Sequence, residues 1–378
     1  NYFENAAFSV KYTYFTNGVE TYSSTFDVNI APQSSQEYEI DSFELEKDNH
    51  NSVVFEYLAG DFLIASEQII LSEGKLSADI NSDGKTTVKP CESKLYITFD
   101  NGSMIFDKST GFITSYIYKN HEMINSFPLG DFKGFAPAFY RAPLDNDRNI
   151  CKYWHTMGLQ NTSNICKGSN FTDNGDNIVI TTNIKSIANC ILPVANTQIK
   201  YTIYPNGNIL VDVNCLGGGA VKLLPRFGVM LEMPKEYENI KYFGLGEDVN
   251  LPDYKEHTIN KVYQTTVDKL KEDYIKPQES ATRCDVRFAE ITNASGFGLR
   301  FEAVNKPFIF SASHYTSNQW AKAMHRDDLV DLPTTCVNID SSVLGAGSNA
   351  CGPLPDKKDR VGSLSGKKLS FVVKPIGE

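Results

Sequence analysis

Long apolar runs are missing from this chain of 378 residues. No stretch approaches the roughly 18 uninterrupted apolar residues that a membrane-spanning helix needs. No basic segment leads into an apolar core, so no secretory leader is visible. The chain opens on Asn1 rather than Met, which reads as a processed or excised piece. Positive charge is also scarce: 36 Lys and Arg stand against 46 Asp and Glu, for a net charge of −10. That balance disfavours nucleic acid, whose phosphates reward clustered cations. It suits a neutral ligand such as a sugar. The eight cysteines include no C-x-x-C pair, so a zinc site would lack clustered ligands. The histidines show no H-x-x-x-H spacing, and no metal is assigned. Thiols scattered singly read as free and buried rather than as a disulfide framework. They favour a cytoplasmic protein, with the periplasm or secretion left open.

What is present is a hydrophobic period of two. Val10, Tyr12 and Tyr14 alternate with Lys11 and Thr13. The pair Asn17-Gly18 follows, and then Phe26, Val28 and Ile30 alternate again. Leu95, Ile97 and Phe99 run into Asn101-Gly102, and Ile199, Tyr201 and Ile203 run into Pro205-Asn206-Gly207. Asn-Gly between alternating runs is a strong hairpin signal, because a type I′ turn needs positive φ at both central residues. The pattern predicts an all-β, antiparallel protein. Helix is confined to a capping box at Thr316-Ser317-Asn318-Gln319 and a short candidate over 267–274. A polar, turn-rich stretch near 73–90 predicts a boundary. The division read from it is a small immunoglobulin-like β-sandwich over 1–76, a linker over 77–90 and a large antiparallel sandwich over 91–378.

The run Phe139-Tyr140-Arg141-Ala142-Pro143-Leu144-Asp145-Asn146-Asp147 puts an aromatic pair, a guanidinium and two carboxylates around a rigid turn. It resembles the Arg-Ala-Pro-Leu-Asp-Asn-Asp segment of glycoside hydrolase family 2 β-galactosidases. Four further segments match in the same order. They are Tyr242-Phe243-Gly244-Leu245-Gly246 with Asn250-Leu251-Pro252-Asp253; Pro277-Gln278-Glu279 through Arg283 to Arg287; Phe310-Ser311-Ala312 through His325-Arg326; and Gly345-Ala346-Gly347-Ser348-Asn349-Ala350-Cys351-Gly352-Pro353. Residues 1–73 are similar to the family's last immunoglobulin-like domain. Residues 91–378 are similar to its C-terminal supersandwich, which is galactose mutarotase-like.

The resemblance implies a retaining β-galactosidase whose two catalytic glutamates lie on an upstream TIM barrel, so none is expected in this chain. This region would complete the pocket for a galactoside. The candidates for that role are Arg141, Asp145, Asn146, Asp147, Trp154, Ser348, Asn349 and Cys351. Arg141 is expected mainly to pair with Asp145 or Asp147, and Trp154 to pack its loop. Cys351 stands where many members carry a sugar-stacking Trp, and a thiol offers far less contact area than an indole. Arg283 and Arg287 are read as one strand face carrying salt bridges. The resemblance implies Mg2+ and Na+ elsewhere in the full-length enzyme, and homo-oligomer contacts. The alternative reading is a non-catalytic carbohydrate-binding or small-subunit module. An aldose epimerase using a His with Glu279 is a remoter rival.

Overall fold

A computed structural model of the protein describes residues 3–76, 80, 83–124, 134–348 and 350–377. Its strands form four antiparallel sheets among those residues. The all-β expectation holds. No helix among the described residues is long and apolar enough to cross a membrane.

The first sheet orders Val19–Ile30, Ala6–Thr16, His50–Ala59 and Phe62–Glu73 side by side. Asn17 and Gly18 turn its first hairpin at φ 49° and 75°, the two positive values that the sequence signal requires. Tyr12, Tyr14 and Val53 form a small apolar cluster on one face. Ile40 and Phe43, from the strandless segment 31–49, pack against that cluster. The described residues therefore show one sheet capped by coil here, where two facing sheets were expected. Segment 31–49 alternates apolar and acidic residues at Tyr38, Ile40, Phe43 and Leu45, with one slip at Asp41-Ser42, yet it forms no strand.

The remainder is larger. Nine strands run from Thr162–Asp173 at one edge to Ile259–Thr266 at the other, with the last strand, Lys368–Ile376, inserted between Ile209–Gly218 and Gly298–Ala303. Ile178–Ala188 alternates buried and half-buried along its whole length, as a sheet with one core face should. A five-stranded sheet orders Thr87–Pro90, Lys94–Phe99, Gly102–Asp107, Phe112–Tyr118 and His121–Glu122. Its first strand lies inside the stretch read as linker. The turn after Phe99 is Asp100-Asn101, with Gly102 already opening the next strand. A second five-stranded sheet orders Ala136–Ala138, Arg226–Pro234, Thr334–Val343, Phe308–Ser313 and Arg283–Val286.

These three sheets share one apolar core. Phe106 and Tyr201 meet edge to face at 6.2 Å, and Phe135 lies against Tyr201 and Phe371. Each such side chain contributes about 1.5–3 kcal/mol by burial. In the second five-stranded sheet the central strands are buried on both faces. Phe227, Val229, Leu231, Val337 and Ile339 belong to the core. By the strand period, Arg226, Gly228, Asn338 and Asp340 occupy the opposite face. That polar second face positions the site.

The small sheet docks on the nine-stranded one. Gly18 O accepts from Val262 N at 2.9 Å. The Gln68 side chain bonds both Asn260 main-chain groups, at 2.9 and 2.7 Å. His50 stands edge-on to Phe243 at 5.3 Å, and Arg287 pairs with Glu73 at 2.7 Å.

Candidate functional site

The opening motif is held by a buried ion pair. Arg141 Nη1 donates to Asp147 Oδ2 at 2.6 Å, and both side chains are almost wholly buried. Arg141 also donates to Ala142 O and Leu344 O. Asp147 Oδ2 accepts from Leu144 N at 2.8 Å. The Arg141 guanidinium lies 5.5 Å from the Trp154 ring. Trp154, on the helix Ile150–Met157, is fully buried and donates to Leu223 O at 2.9 Å. Three of the pocket candidates are thus a floor. Arg141 and Asp147 are paired with each other beneath the loop, and Trp154 turns its ring to the core.

Two neighbours of that floor face outward. Asp145 is exposed, and its N–H donates to Gln278 Oε1 at 2.8 Å. Asn146 donates through Nδ2 to Gly347 O at 2.6 Å, which ties this loop to the glycine-rich one. Both line a cavity of about 250 Å³ with Leu144, Val249, Leu251, Tyr254, Tyr274, Gln278, Glu279 and Ala346. Four of the sequence segments converge there. Tyr254 and Tyr274 supply partly exposed aromatic surface.

Asp253 is what aligns the glycine-rich loop. Its carboxylate accepts from Ala346 N at 2.7 Å and Gly347 N at 2.8 Å. A Cβ on Gly345 would meet Asp253 Oδ1 at 2.4 Å, so the glycine admits the carboxylate. Ser348 and Cys351 are exposed on the turn that follows, where Ser348 N donates to Pro353 O and Cys351 N to Ser348 O, each at 3.1 Å. Neither lines the cavity. Asn349 lies outside the described residues.

Behind Glu279 sits a charged cluster. Arg226 pairs with Asp340 at 3.0 Å and reaches Glu279 at 3.9 Å. It also donates to Asn338 Oδ1 at 3.0 Å. Thr282 Oγ1 donates to Glu279 Oε1 at 3.3 Å. Burial, aided by the Glu279 charge and opposed by Arg226, pushes the Asp340 carboxyl up to about 7. A Cβ on Gly228 would meet Asp340 Oδ1 at 2.2 Å, so this glycine makes room for the acid.

Several expectations need correction. Arg283 and Arg287 do not share a strand face. Asp285, at φ 53°, distorts the strand Arg283–Val286, and Arg287 falls in the break before Phe288–Thr292, a strand of a different sheet. Arg283 bonds the carbonyls of Thr282 and Leu270, and only Arg287 makes a salt bridge of the two. The Gly244-Leu245-Gly246 segment closes the strand Asn239–Gly246. All eight cysteines are free, but only Cys215, Cys284 and Cys336 are fully buried. Asp253, Tyr254, Tyr274, Arg226 and Asp340 were not among the candidates. For Asp253 no local signal was available, because the loop amide it accepts from lies 93 residues away.

Loops gathered over a polar sheet face, with tyrosines and hydrogen-bonding side chains around one cavity, define the candidate site of this antiparallel β protein. The chain belongs to the family described as beta galactosidase small chain, whose family model matches residues 98–373. A beta-galactosidase of Actinobacillus pleuropneumoniae is 28% identical over 359 residues, covering 91% of this chain and 34% of that protein. One from Halalkalibacterium halodurans is 24% identical over 92% of this chain and 35% of its own length. The chain therefore spans about a third of these relatives. Among solved structures, a galactose 1-epimerase from Lactobacillus acidophilus NCFM aligns with 78% of this chain and 98% of its own, at TM-score 0.45 and 8% identity.

Proposed function

We propose that this chain is the C-terminal region of a retaining, family 2 β-galactosidase. The cavity at Asp145, Asn146, Tyr254, Tyr274, Gln278 and Ala346 would form one wall of its sugar pocket. The observation that carries this reading is the meeting of four family-like segments at that one cavity. Its groups suit a polyhydroxylated ligand. Carboxylate and amide side chains accept and donate to hydroxyls, and tyrosine rings cover the apolar face of a sugar.

Cleavage with retention takes two carboxyl groups about 5–5.5 Å apart. We place that pair on an upstream barrel of the same protein. Glu279 is committed to Thr282 and to the neighbourhood of Arg226, which holds it in place. Among the described residues no three His, Cys, Asp or Glu side chains gather to hold a metal.

The test compares this chain with the protein that includes its upstream region. The longer protein hydrolyses a chromogenic β-galactoside and releases the β-anomer first, while this chain binds galactose but does not turn the galactoside over. Turnover by the chain alone within tenfold of the longer protein would overturn the reading. A separately encoded small subunit is the second reading, favoured by the description of the matching family. The size of the native polypeptide on an immunoblot separates the two.

A further inference from the structure

A second cavity adjoins the first. It encloses about 220 Å³ and is lined by Pro143, Leu144, Asp145, Arg148, Cys151, His155, Lys276, Pro277, Gln278 and Ala321. Leu144, Asp145 and Gln278 line both cavities, so the two open on a common rim. We propose that this second cavity binds an oxyanion carried by the sugar ligand: a phosphate, sulfate or carboxylate substituent held by Arg148 and Lys276. This deepens the sugar-pocket reading and rests on it, since it names a substrate class of anionic galactosides.

Three observations support it. First, Arg148 and Lys276 are both exposed, and neither makes an ion pair among the described residues. Both line the same concavity, so a ligand there would meet two cations that no protein carboxylate neutralises in an ion pair among the described residues.

Second, the charge on the lining favours an anion. Asp145 is the one carboxylate among the lining residues, against Arg148 and Lys276. Asp145 also sits on the rim shared with the neighbouring cavity, where sugar hydroxyls would be its partners. Apolar walls at Pro143, Leu144, Pro277 and Ala321 strengthen the field of the two cations inside the recess.

Third, a neutral donor is already aimed by the fold. Gln278 Oε1 accepts from Asp145 N, which fixes the amide and leaves its Nε2 donors for a ligand. The opposite wall is set by the helix Ile150–Met157. There His155 Nε2 lies 3.1 Å from Tyr140 Oη, and Cys151 Sγ is bonded back to Arg148 O. A guanidinium, an ammonium and an amide are a fitting set for an oxyanion.

The experiment titrates this chain with galactose, galactose 6-phosphate, galactose 6-sulfate, galacturonate and inorganic phosphate, by calorimetry or chemical-shift mapping. Galactose 6-phosphate is expected to bind at least tenfold tighter than galactose and than inorganic phosphate. The double variant Arg148→Ala/Lys276→Ala should erase that gain. Both side chains are exposed, so an unchanged melting temperature checks that the variant is folded. The sulfate and uronate arms show which charged substituent is preferred. Equal affinity for galactose and every anionic sugar overturns the anionic subsite while leaving the sugar pocket. So does a gain that survives the double variant. Inorganic phosphate binding as tightly as the sugar phosphate would mean an adventitious ion only. No binding of any sugar overturns the pocket reading itself, and the subsite with it.

Discussion

Two regions of this molecule each pair a cavity with an arginine–carboxylate bridge, and they differ in every respect that matters. Where the small sheet docks, a cavity of about 710 Å³ is lined by His50, Glu67, Glu73, Lys255, Asp285 and Arg287, among others. Its charges largely satisfy one another, Arg287 with Glu73 and Lys255 with Asp285. At the converging loops the cavity is about 250 Å³, and the ion pair lies beneath it, at Arg141 and Asp147, away from water. The smaller recess keeps polar groups uncommitted on its walls because the buried pair does the holding.

The largest expected effect comes from breaking the buried pair. Arg141→Ala strands Asp147 in the interior with only the Leu144 amide beside it. Removing one partner of a buried pair costs about 3–5 kcal/mol. The Arg141 stacking on Trp154 is lost as well. Urea denaturation of the chain should show a loss in that range. A loss below about 1 kcal/mol would mean that the loop is held by other contacts.

The next effect separates the two regions by pH. Burial, with the positive Arg287 nearby, lowers the His50 imidazole from 6.5 to about 4. The unfolded chain takes up that proton first, so stability is full above about 6.5 and is lost as pH falls toward 4. Asp340 behaves oppositely, since its carboxyl is raised from 3.8 to about 7. It stays neutral in the fold while the unfolded chain ionises, so stability is full below about 4 and is lost as pH rises toward 7. Relative to the parent, Asp340→Asn should therefore gain stability as pH rises through this window. His50→Gln should gain as pH falls. Unfolding free energies measured from pH 4 to 7 would show two difference curves of opposite slope. Parallel curves would break the contrast.

What the sequence revealed, and what it hid, follows the range of each interaction. Alternation is local, so Ile178–Ala188 and the Asn17-Gly18 hairpin were legible residue by residue. The capping box at Thr316 formed as written, with Gln319 N donating to Thr316 Oγ1. Arg141 and Asp147 are six residues apart, and their pairing could be anticipated. Arg287 and Glu73 are 214 apart, and nothing local announces that partnership. Trp154 shows the harder limit. An indole in a motif-adjacent segment fits a sugar platform or a core equally well, and only the docking of its helix decides. Asp253 was overlooked because its role is visible only when a distant glycine loop lies over it.

A smaller effect should follow from releasing that loop. Asp253→Ala removes the acceptor of two main-chain amides, each bond contributing about 1.5–3 kcal/mol when the acceptor is charged. Because the loop is partly exposed, water replaces much of this. The expected outcome is a roughly tenfold weaker affinity for galactose, about 1.4 kcal/mol, with little change in melting temperature. Asp253→Asn keeps one acceptor oxygen and should recover part of the affinity. Unchanged affinity in Asp253→Ala would detach the glycine loop from recognition.

The smallest effect is expected where the same chemistry meets water. Glu73 is 77% exposed in its bridge to Arg287. Glu73→Gln keeps an acceptor oxygen within reach of the guanidinium and removes only the charge. Arg287 borders the large cavity, so solvent can approach it, and Asp285 adds a favourable charge nearby. Pairs with one solvated partner contribute about 0–1 kcal/mol, and the variant should unfold within that distance of the parent. Set beside Arg141→Ala, this measurement asks whether burial or pairing makes the difference. A loss near 3 kcal/mol would place the docking seam in surroundings as dry as the loop floor, and the contrast between the two arginines would then rest on position in the chain alone.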